Sequence, residues 1–298
     1  MVKYGKIYKP IQARSIHKSP VNVGTSVFSK IYQNKRARYS LFLILFIILI
    51  GILAPFIAPH DPIEPHYEAL LSEPSKEFIL GTDALGRDLL SRLIYGIQVT
   101  IKVASIAVGI TFIAGTFIGL ICAYVGGVVD NILMRIMDVL LALPSIVLAL
   151  AIVAILGPSL NNAMIAIGIA SIPGFARLTR GAALSVKSSG YVEASRSIGS
   201  SHAWILRRQF FPNVSSTVLV YTTIFIGGAI LDTAALSFIG LGAQPPTPEW
   251  GSMLNEGRNY IYQAWWLAIF PGIAITVVVF AVNYLGDALR DIFDPANN

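Results

Sequence analysis

Long uncharged apolar segments recur along the chain and limit what it can fold into. A helix of about 20 residues, rising about 1.5 Å per residue, spans the hydrocarbon core of a bilayer, which is about 30 Å thick. Backbone polar groups cannot stay unpaired in lipid, so each segment must be helical. The sequence therefore predicts an all-α, polytopic membrane protein with about six transmembrane helices, at residues 39–58, 99–124, 131–156, 163–184, 215–236 and 265–285.

Composition agrees with a chain that is covered largely by lipid. Hydrophobic residues make up 55% of the 298 residues and charged residues only 13%, about half the charged share of a soluble globular domain. The formal net charge is +6, and residues 1–38 carry Lys and Arg but no Asp or Glu. Such an arm before an apolar run is typical of a positive-inside signal, so we expect no nucleic-acid partner.

Two basic regions predict one topology. Residues 1–38 form a basic arm that is expected in the cytoplasm, before the first helix at 39–58. Residues 59–98 are acidic and are expected on the extracytoplasmic side. Counting helices through the five-helix core, 99–298, returns residues 185–213 to the cytoplasm, where four basic residues stand against one acid. Both termini are therefore predicted to be cytoplasmic.

The basic segment between the fourth and fifth predicted helices contains two short helices. Gly190 and Glu193 are spaced for a helix start in which Glu193 caps a free backbone N–H, and Gly199 can take the positive φ that ends this helix. A second helix is predicted at residues 203–211, with Pro212 marking its end. On periodicity alone, a plain interfacial helix is the simpler interpretation.

The residues of this segment resemble the EAA loop of ABC importer permeases, which reads Glu-Ala-Ala, then a spaced Gly, then Ile and Leu-Pro. Here Ser195 replaces the second Ala and Phe211 replaces the Leu. In that family the loop is a coupling helix that docks into a groove on an ATPase subunit. The resemblance implies such a loop at about residues 190–212, formed by Tyr191, Glu193, Ala194, Ser195, Ile198, Gly199, Ile205 and Pro212.

Two further blocks resemble the dipeptide/oligopeptide group of these permeases. Residues 80–92, LGTDALGRDLLSR, look like the signature that this group carries just before its second helix. Residues 231–253, LDTAALSFIGLGAQPPTPEWGSM, look like the block that runs from its fifth helix into the next outer loop. The resemblance covers about residues 39–295 and fits a C-type subunit. It implies a type I ABC importer transmembrane domain in the bacterial cytoplasmic (inner) membrane.

The resemblance also implies partners. We expect a homologous second permease chain in a heterodimer, two ATPase subunits, an extracytoplasmic substrate-binding protein and membrane lipid. The sequence has no G-x-x-x-x-G-K-[ST] loop to cradle phosphates, so ATP and Mg would be bound by the partners and this chain would be a non-catalytic subunit with no cofactor. No H-E-x-x-H or G-x-S-x-G enzyme motif occurs either.

The substrate is left open by the sequence. Peptides are the commonest cargo of this group, and nickel complexes, haem and antimicrobial peptides are alternatives. A stand-alone secondary transporter is the competing class, because aspartates occur inside predicted helices, as they do in such transporters.

Charged residues outside the loop give the other candidate sites. Asp83, Arg87 and Asp88 are predicted on a short outer helix, either near the docking site of the binding protein or as a solvated cap. Glu249 and Trp250 end a proline-rich outer stretch and are expected at the same face or in an outer gate.

Ionisable residues also fall inside predicted helices, where an unpaired charge is costly. Asp232, near the outer end of the fifth helix, is expected either to line the pathway or to pin a helix by a hydrogen bond. Arg135 and Asp138 are three residues apart and are predicted to form an ion pair.

Glycines and prolines give expectations about packing. Gly115 and Gly119 form a Gly-x-x-x-Gly spacing that favours close approach of two membrane helices. Pro144, Pro173 and Pro271 lie inside predicted helices, where each removes a hydrogen bond and favours a kink, either a static one or a hinge.

Overall fold

The computed structural model describes residues 31–293, so most of the predicted basic arm and the last five residues lie outside it. Over this range the chain is all-α, and the pairing of extended backbone is limited to one bridge between Thr82 and Asp88. Single turns occur at Ala54–Ile57, Tyr67–Ala69 and Arg258–Tyr260. The main helices are α1 (Lys35–Ile52), α2 (Leu89–Val125), α3 (Gly127–Leu141), α4 (Ser145–Leu156), α5 (Leu160–Lys187), α6 (Gly190–Ser197), α7 (His202–Phe238), α8 (Trp250–Gly257) and α9 (Trp266–Phe293).

Four of the described helices, α2, α5, α7 and α9, are long and apolar enough to cross a membrane. The bent pair α3 and α4 makes a fifth crossing if the two count as one span. α1 is not in this set, because three of its 18 residues, Lys35, Arg36 and Arg38, are basic. The all-α membrane fold is confirmed, whereas the predicted six crossings are reached only if α1 and the bent pair both span.

The predicted third span is broken in the middle. α3 and α4 meet at an angle of 88°, and Pro144 stands at the N-cap of α4 with φ −53° and ψ 137°. A proline disfavours helical backbone in the residue before it, which explains why the helix stops here. Pro173 and Pro271 instead lie inside the continuous helices α5 and α9.

α2 is an unbroken α-helix of 37 residues. It begins ten residues before the predicted start, because the Asp88 side chain caps it by accepting a hydrogen bond from Ser91 N at 2.8 Å. Gly126, with φ +71°, ends it. At about 1.5 Å per residue, α2 is about 55 Å long.

Close contact between α2 and α5 follows from the predicted glycine spacing. A Cβ atom at Gly119 would lie 2.6 Å from the carbonyl oxygen of Ala176, and one at Gly115 would lie 2.9 Å from Phe175. Both distances are too short for real side chains, so only glycine permits this approach. The predicted packing role of the Gly-x-x-x-Gly pair is confirmed.

The bundle has two ends. The proximal face carries α6, the start of α1 and the end of α9, where Arg36 Nη1 lies 3.9 Å from Asp291 Oδ2. The distal face carries the connecting residues 58–88, 157–159 and 239–265. α2 runs from the distal face, where it starts, to the proximal face, where it ends near α6.

Candidate functional site

α6 stands on the proximal face and ends as predicted. Gly199 has φ +81°, its N–H donates to Arg196 O at 3.0 Å, and Ser200 N donates to Ser195 O at 3.0 Å. These two bonds form a Schellman motif, which satisfies carbonyls at the helix end. The backbone geometry therefore requires a glycine at this position.

The start of α6 differs from the prediction. Ser189 is the N-cap residue, Gly190 is the first helical residue, and no side chain caps the helix. Glu193 is therefore the fourth residue of the helix, one position beyond the place from which a capping-box glutamate reaches back. The predicted capping role of Glu193 is wrong, and its side chain is exposed instead.

One face of α6 is buried and the other is open. Val192 and Ser195 face the bundle, at 2% and 9% exposure. Tyr191, Ala194 and Ile198 are all exposed, and their spacing of three and four residues places them on one side of the helix. Ile198 is 82% exposed. An exposed apolar stripe on a short, fixed helix is a surface suited to binding another protein.

The second predicted helix of the loop does not end at Pro212. α7 begins at His202, with Ser201 as its N-cap, and continues through Pro212 to Phe238. A π-helical turn occupies Leu206–Phe210 just before the proline. A proline ring crowds the carbonyl four residues earlier, and the wider π turn accommodates it. Ile205, also predicted in the loop, is fully buried.

Ser195 ties α6 to this π turn. Its hydroxyl accepts a hydrogen bond from Gln209 Nε2 and donates to Tyr191 O at 2.9 Å. The alanine that usually occupies this position of the motif has no side-chain hydrogen-bonding group. The departure from the motif at Ser195 therefore adds a side-chain link between α6 and α7.

The predicted outer charges form a buried network on the distal face. Asp83 and Arg87 lie in a turn rather than on a short helix, which corrects the prediction: Asp83 Oδ1 accepts from Leu85 N and Arg87 N, and Gly86 has φ +77°. Arg87 Nε donates to Asp83 Oδ2 at 2.6 Å, and Arg92 Nε lies 3.5 Å from the same oxygen. Asp83, Arg87 and Asp88 are all buried.

Glu249 and Trp250 are also buried, at 6% and 3% exposure. The Glu249 carboxylate caps α8 by accepting from Gly251 N at 3.0 Å and Ser252 N at 2.8 Å. Trp250 Nε1 donates to Leu93 O at 3.1 Å, which joins α8 to α2. These predicted docking residues thus brace the distal face from inside.

Charged residues of the helices pair in a way that the sequence did not indicate. Asp138 pairs with Arg177, and Asp130 accepts two hydrogen bonds from Arg180, at 2.5 and 2.6 Å. The predicted pair between Arg135 and Asp138 is wrong, because α5 supplies the arginines that face α3. Arg177 and Arg180 are three residues apart and so lie on one face of α5, but this spacing does not identify the acids that they meet.

Asp232 is half-buried in α7. Among residues 31–293 it has no ion pair or hydrogen bond to its carboxylate. The predicted hydrogen bond that pins a helix is therefore not formed within this part of the chain. No group of three or more His, Cys, Asp or Glu side chains is placed to hold a metal in the same range.

The long apolar helices of the bundle define a polytopic membrane protein. Residues 115–298 match the family described as binding-protein-dependent transport system inner membrane component, and the chain belongs to this family. Residues 24–74, which include α1, match the N-terminal TM domain of oligopeptide transport permease C. The chain is therefore a multi-pass permease subunit of a binding-protein-dependent importer, and the predicted relationship to C-type permeases is confirmed.

Curated relatives are similar over almost their whole length. The di/tripeptide transport system permease protein DppC of Pseudomonas aeruginosa is 45% identical, over 88% of this chain and 89% of its own. The dipeptide transport system permease protein DppC of Haemophilus influenzae is also 45% identical, over 88% and 91%. The glutathione transport system permease protein GsiD of Escherichia coli O6:K15:H31 is 47% identical, over 88% and 87%.

Solved structures with the same fold include the MetNI methionine ABC transporter in an inward-facing conformation. The match has a TM-score of 0.56 and 20% identity, and it covers 68% of this chain and 96% of that chain. At this level of identity the similarity shows the fold, which is that of an ABC importer transmembrane domain.

Proposed function

We propose that this chain forms half of the translocation pathway of a di- or oligopeptide importer and that separate ATPase subunits drive it by gripping α6. The observation that carries the proposal is the exposed stripe of Tyr191, Ala194 and Ile198 on a helix whose other face is fixed to the bundle. The choice of peptide is supported by the relatives, whose names specify dipeptides, di/tripeptides and glutathione, a short peptide.

The proposed assembly contains a second, homologous permease chain, two ATPase subunits and a substrate-binding protein. The ATPases bind the proximal face, which is then cytoplasmic together with both termini, in agreement with the basic residues near α6. The binding protein delivers its cargo to the distal face. ATP and Mg are bound by the ATPases, and this chain contributes no catalytic group.

Movement of α6 is the proposed link between hydrolysis and transport. When ATP draws the two ATPase subunits together, each moves the α6 that it holds. Because α6 is bonded to the π turn of α7 through Ser195 and Gln209, the displacement enters a membrane helix directly. The bundle then changes between two arrangements, and the nucleotide biases the equilibrium between them.

Asp232 is the proposed contact for the positively charged amino end of a peptide. A carboxylate without a partner at membrane depth is costly and is expected to face a polar pathway. Asp232→Asn should raise the KM for peptide uptake and leave ATPase binding unchanged. An unchanged KM for peptides with a free amino end would remove Asp232 from the pathway.

The experiment that tests the function uses the complex co-expressed with its ATPases and binding protein. Glu193→Lys reverses a charge on the exposed side of α6, and Gly199→Trp places a large side chain at a positive-φ position. Both should reduce peptide uptake and recovery of ATPase with the permease, while membrane insertion persists. Full uptake in both variants, or uptake by the wild-type chain with no ATPase present, would contradict the proposal and favour a stand-alone transporter.

A further inference from the structure

Tyr124 lies at the proximal end of α2 and is the next-to-last residue of that helix. Its side chain is buried, with 6% exposure, although it lies at the end of the bundle. What buries it is the segment that follows α5, including α6 and the start of α7. Tyr124 is therefore placed where the proposed ATPase-binding element meets the end of α2, a helix of 37 residues.

Three side chains of that segment contact the Tyr124 ring, each in a different way. The Arg196 guanidinium carbon, on α6, lies 4.9 Å from the ring centroid, in a cation–π arrangement. His202 Nδ1, at the start of α7, is hydrogen-bonded to the phenolic oxygen. Phe210, in the π turn, packs edge-to-face at 5.3 Å between centroids. The Tyr124 side chain thus contacts α6, the start of α7 and the π turn.

The backbone at the same place is held as well. Lys187 Nζ, at the end of α5, donates to Ala123 O at 2.7 Å and to Tyr124 O at 3.0 Å. These carbonyls belong to the last turn of α2, where a cation is favourable because the helix dipole is negative there. Lys187 therefore fixes the end of α2 while the contacts to the Tyr124 ring connect it to α6.

α2 is suited to carry a displacement from Tyr124 to the other face. It has no proline, and its contacts with α5 are backbone-close at Gly119. At its distal end, Leu93 O accepts the indole hydrogen bond of Trp250. A displacement at Tyr124 is therefore transmitted to α8 through one continuous helix. Tyr124 and Leu93 are about 47 Å apart along the axis of that helix.

We propose that Tyr124 is the positioning residue that passes movement of α6 to α2, and that it thereby sets how much cargo is moved for each ATP hydrolysed. This inference rests on the proposed function, since it requires an ATPase that grips α6. The inference concerns the cargo moved per ATP rather than ATPase binding. Binding depends on the exposed face of α6, and Tyr124 contacts the opposite side of that helix.

The test uses the whole complex reconstituted in proteoliposomes with its binding protein, with a dipeptide as cargo. Peptide uptake and ATP hydrolysis are measured together, and ATPase recovered with the permease is measured separately. Tyr124→Leu should lower the peptide moved per ATP by about fivefold or more, the lower end of typical coupling effects, with the ATPase still bound. Tyr124→Phe, which keeps the ring contacts with Arg196 and Phe210, should recover most of that loss.

Two controls separate coupling from general stability. Phe112→Leu removes another aromatic ring of α2, one that packs on Phe175 about 18 Å along the helix from Tyr124, and should leave the ratio within about twofold. Arg196→Gln removes the cation over the Tyr124 ring and should lower the ratio, whereas Arg207→Gln removes a nearby exposed charge and should not. The Arg196 variant decides the question if Tyr124→Leu fails to insert.

The outcomes for the two proposals differ. An unchanged ratio in Tyr124→Leu, or in Arg196→Gln where that variant decides, with the ATPase bound would overturn the role of Tyr124 and leave the proposed function intact. Equal losses in the Phe112 and Tyr124 variants would also overturn it. Failure of any ATPase to associate with the wild-type permease would instead refute the proposed function.

Discussion

Arg87 Nη2 lies 2.9 Å from Oε2 of Glu256, although the two residues are 169 positions apart in the chain. The bond fastens the turn before α2 to the end of α8. Arg92 Nη2 also approaches Glu256, at 3.8 Å, and both arginines share Asp83. The distal face is thus held by two buried cations and two carboxylates rather than by apolar contacts alone.

Loss of one carboxylate from this network should be costly. Asp83→Asn leaves the buried cations of Arg87 and Arg92 short of negative charge, and we expect the free energy of unfolding to fall by about 3–5 kcal/mol. Thermal unfolding of the detergent-solubilised protein measures this. Glu73→Gln, at an exposed carboxylate in the same segment, is the control and should change little; a similar loss in both variants would contradict the buried network.

The left-handed conformation of Gly199 gives a second prediction. A Cβ atom there would meet nothing within 4 Å, but φ is +81°, so Gly199→Ala should destabilise the loop by about 1–2 kcal/mol through backbone strain alone. Gly190→Ala, at the other end of α6, also has open space around it but no positive φ. Hydrogen exchange of the α6 amides should quicken only in the Gly199 variant, and equal exchange in both would show that the strain is absent.

An alanine at Gly86 should be destabilising for a steric reason as well as for its positive φ. A Cβ atom on Gly86 would lie 1.9 Å from the carbonyl oxygen of His66, and φ is +77°. Gly86→Ala must therefore displace the turn that holds Asp83 and Arg87, which should lower the melting temperature markedly. Gly109→Ala, with nothing within 4 Å in the middle of α2, should be neutral or stabilise by up to about 1 kcal/mol. If the two variants melt alike, the described turn is wrong.

Glu249 should make stability depend on pH. Burial raises the pKa of its carboxyl above the ordinary value of 4.5, although the N–H groups of Gly251 and Ser252 act in the opposite direction. The folded protein then binds the proton more tightly than the unfolded chain does. As pH rises from about 4.5 through the raised pKa, the free energy of unfolding should therefore fall.

Glu249→Gln provides the measurement for this dependence. The amide oxygen still caps α8 but does not titrate, so the melting temperature should vary less with pH in this variant than in the wild-type protein. Glu73→Gln serves again as the control, because it removes an exposed carboxylate. If the melting temperature varies with pH identically in the wild type and in Glu249→Gln, the buried carboxyl is not the source of the pH dependence.

The sequence predicted what lipid and local backbone chemistry impose. Apolar runs must be helical in a bilayer, which is why α2, α5, α7 and α9 were found, and Gly199 was found because a helix end requires positive φ. Asp83 and Arg87 were misassigned because their spacing of four residues is also that of a helix face. Nothing local distinguishes that spacing from the turn that Gly86 makes.

Long-range pairing was beyond the reach of sequence patterns. The partner of Asp138 is Arg177, 39 residues away. That Asp138 pairs with Arg177 and not with Arg135 depends on how α5 packs against α3. The continuation of α7 through Pro212 was missed for a similar reason. A proline often stops a helix, and the π turn that accommodates Pro212, at Leu206–Phe210, has no sequence signature here.

The break between α3 and α4 has a consequence for what surrounds it. α4 has 12 residues and rises about 18 Å, so from the distal face it ends within a hydrocarbon core that is about 30 Å deep. Non-helical backbone at that depth cannot face acyl chains. Residues 142–144 must therefore face another polypeptide or water.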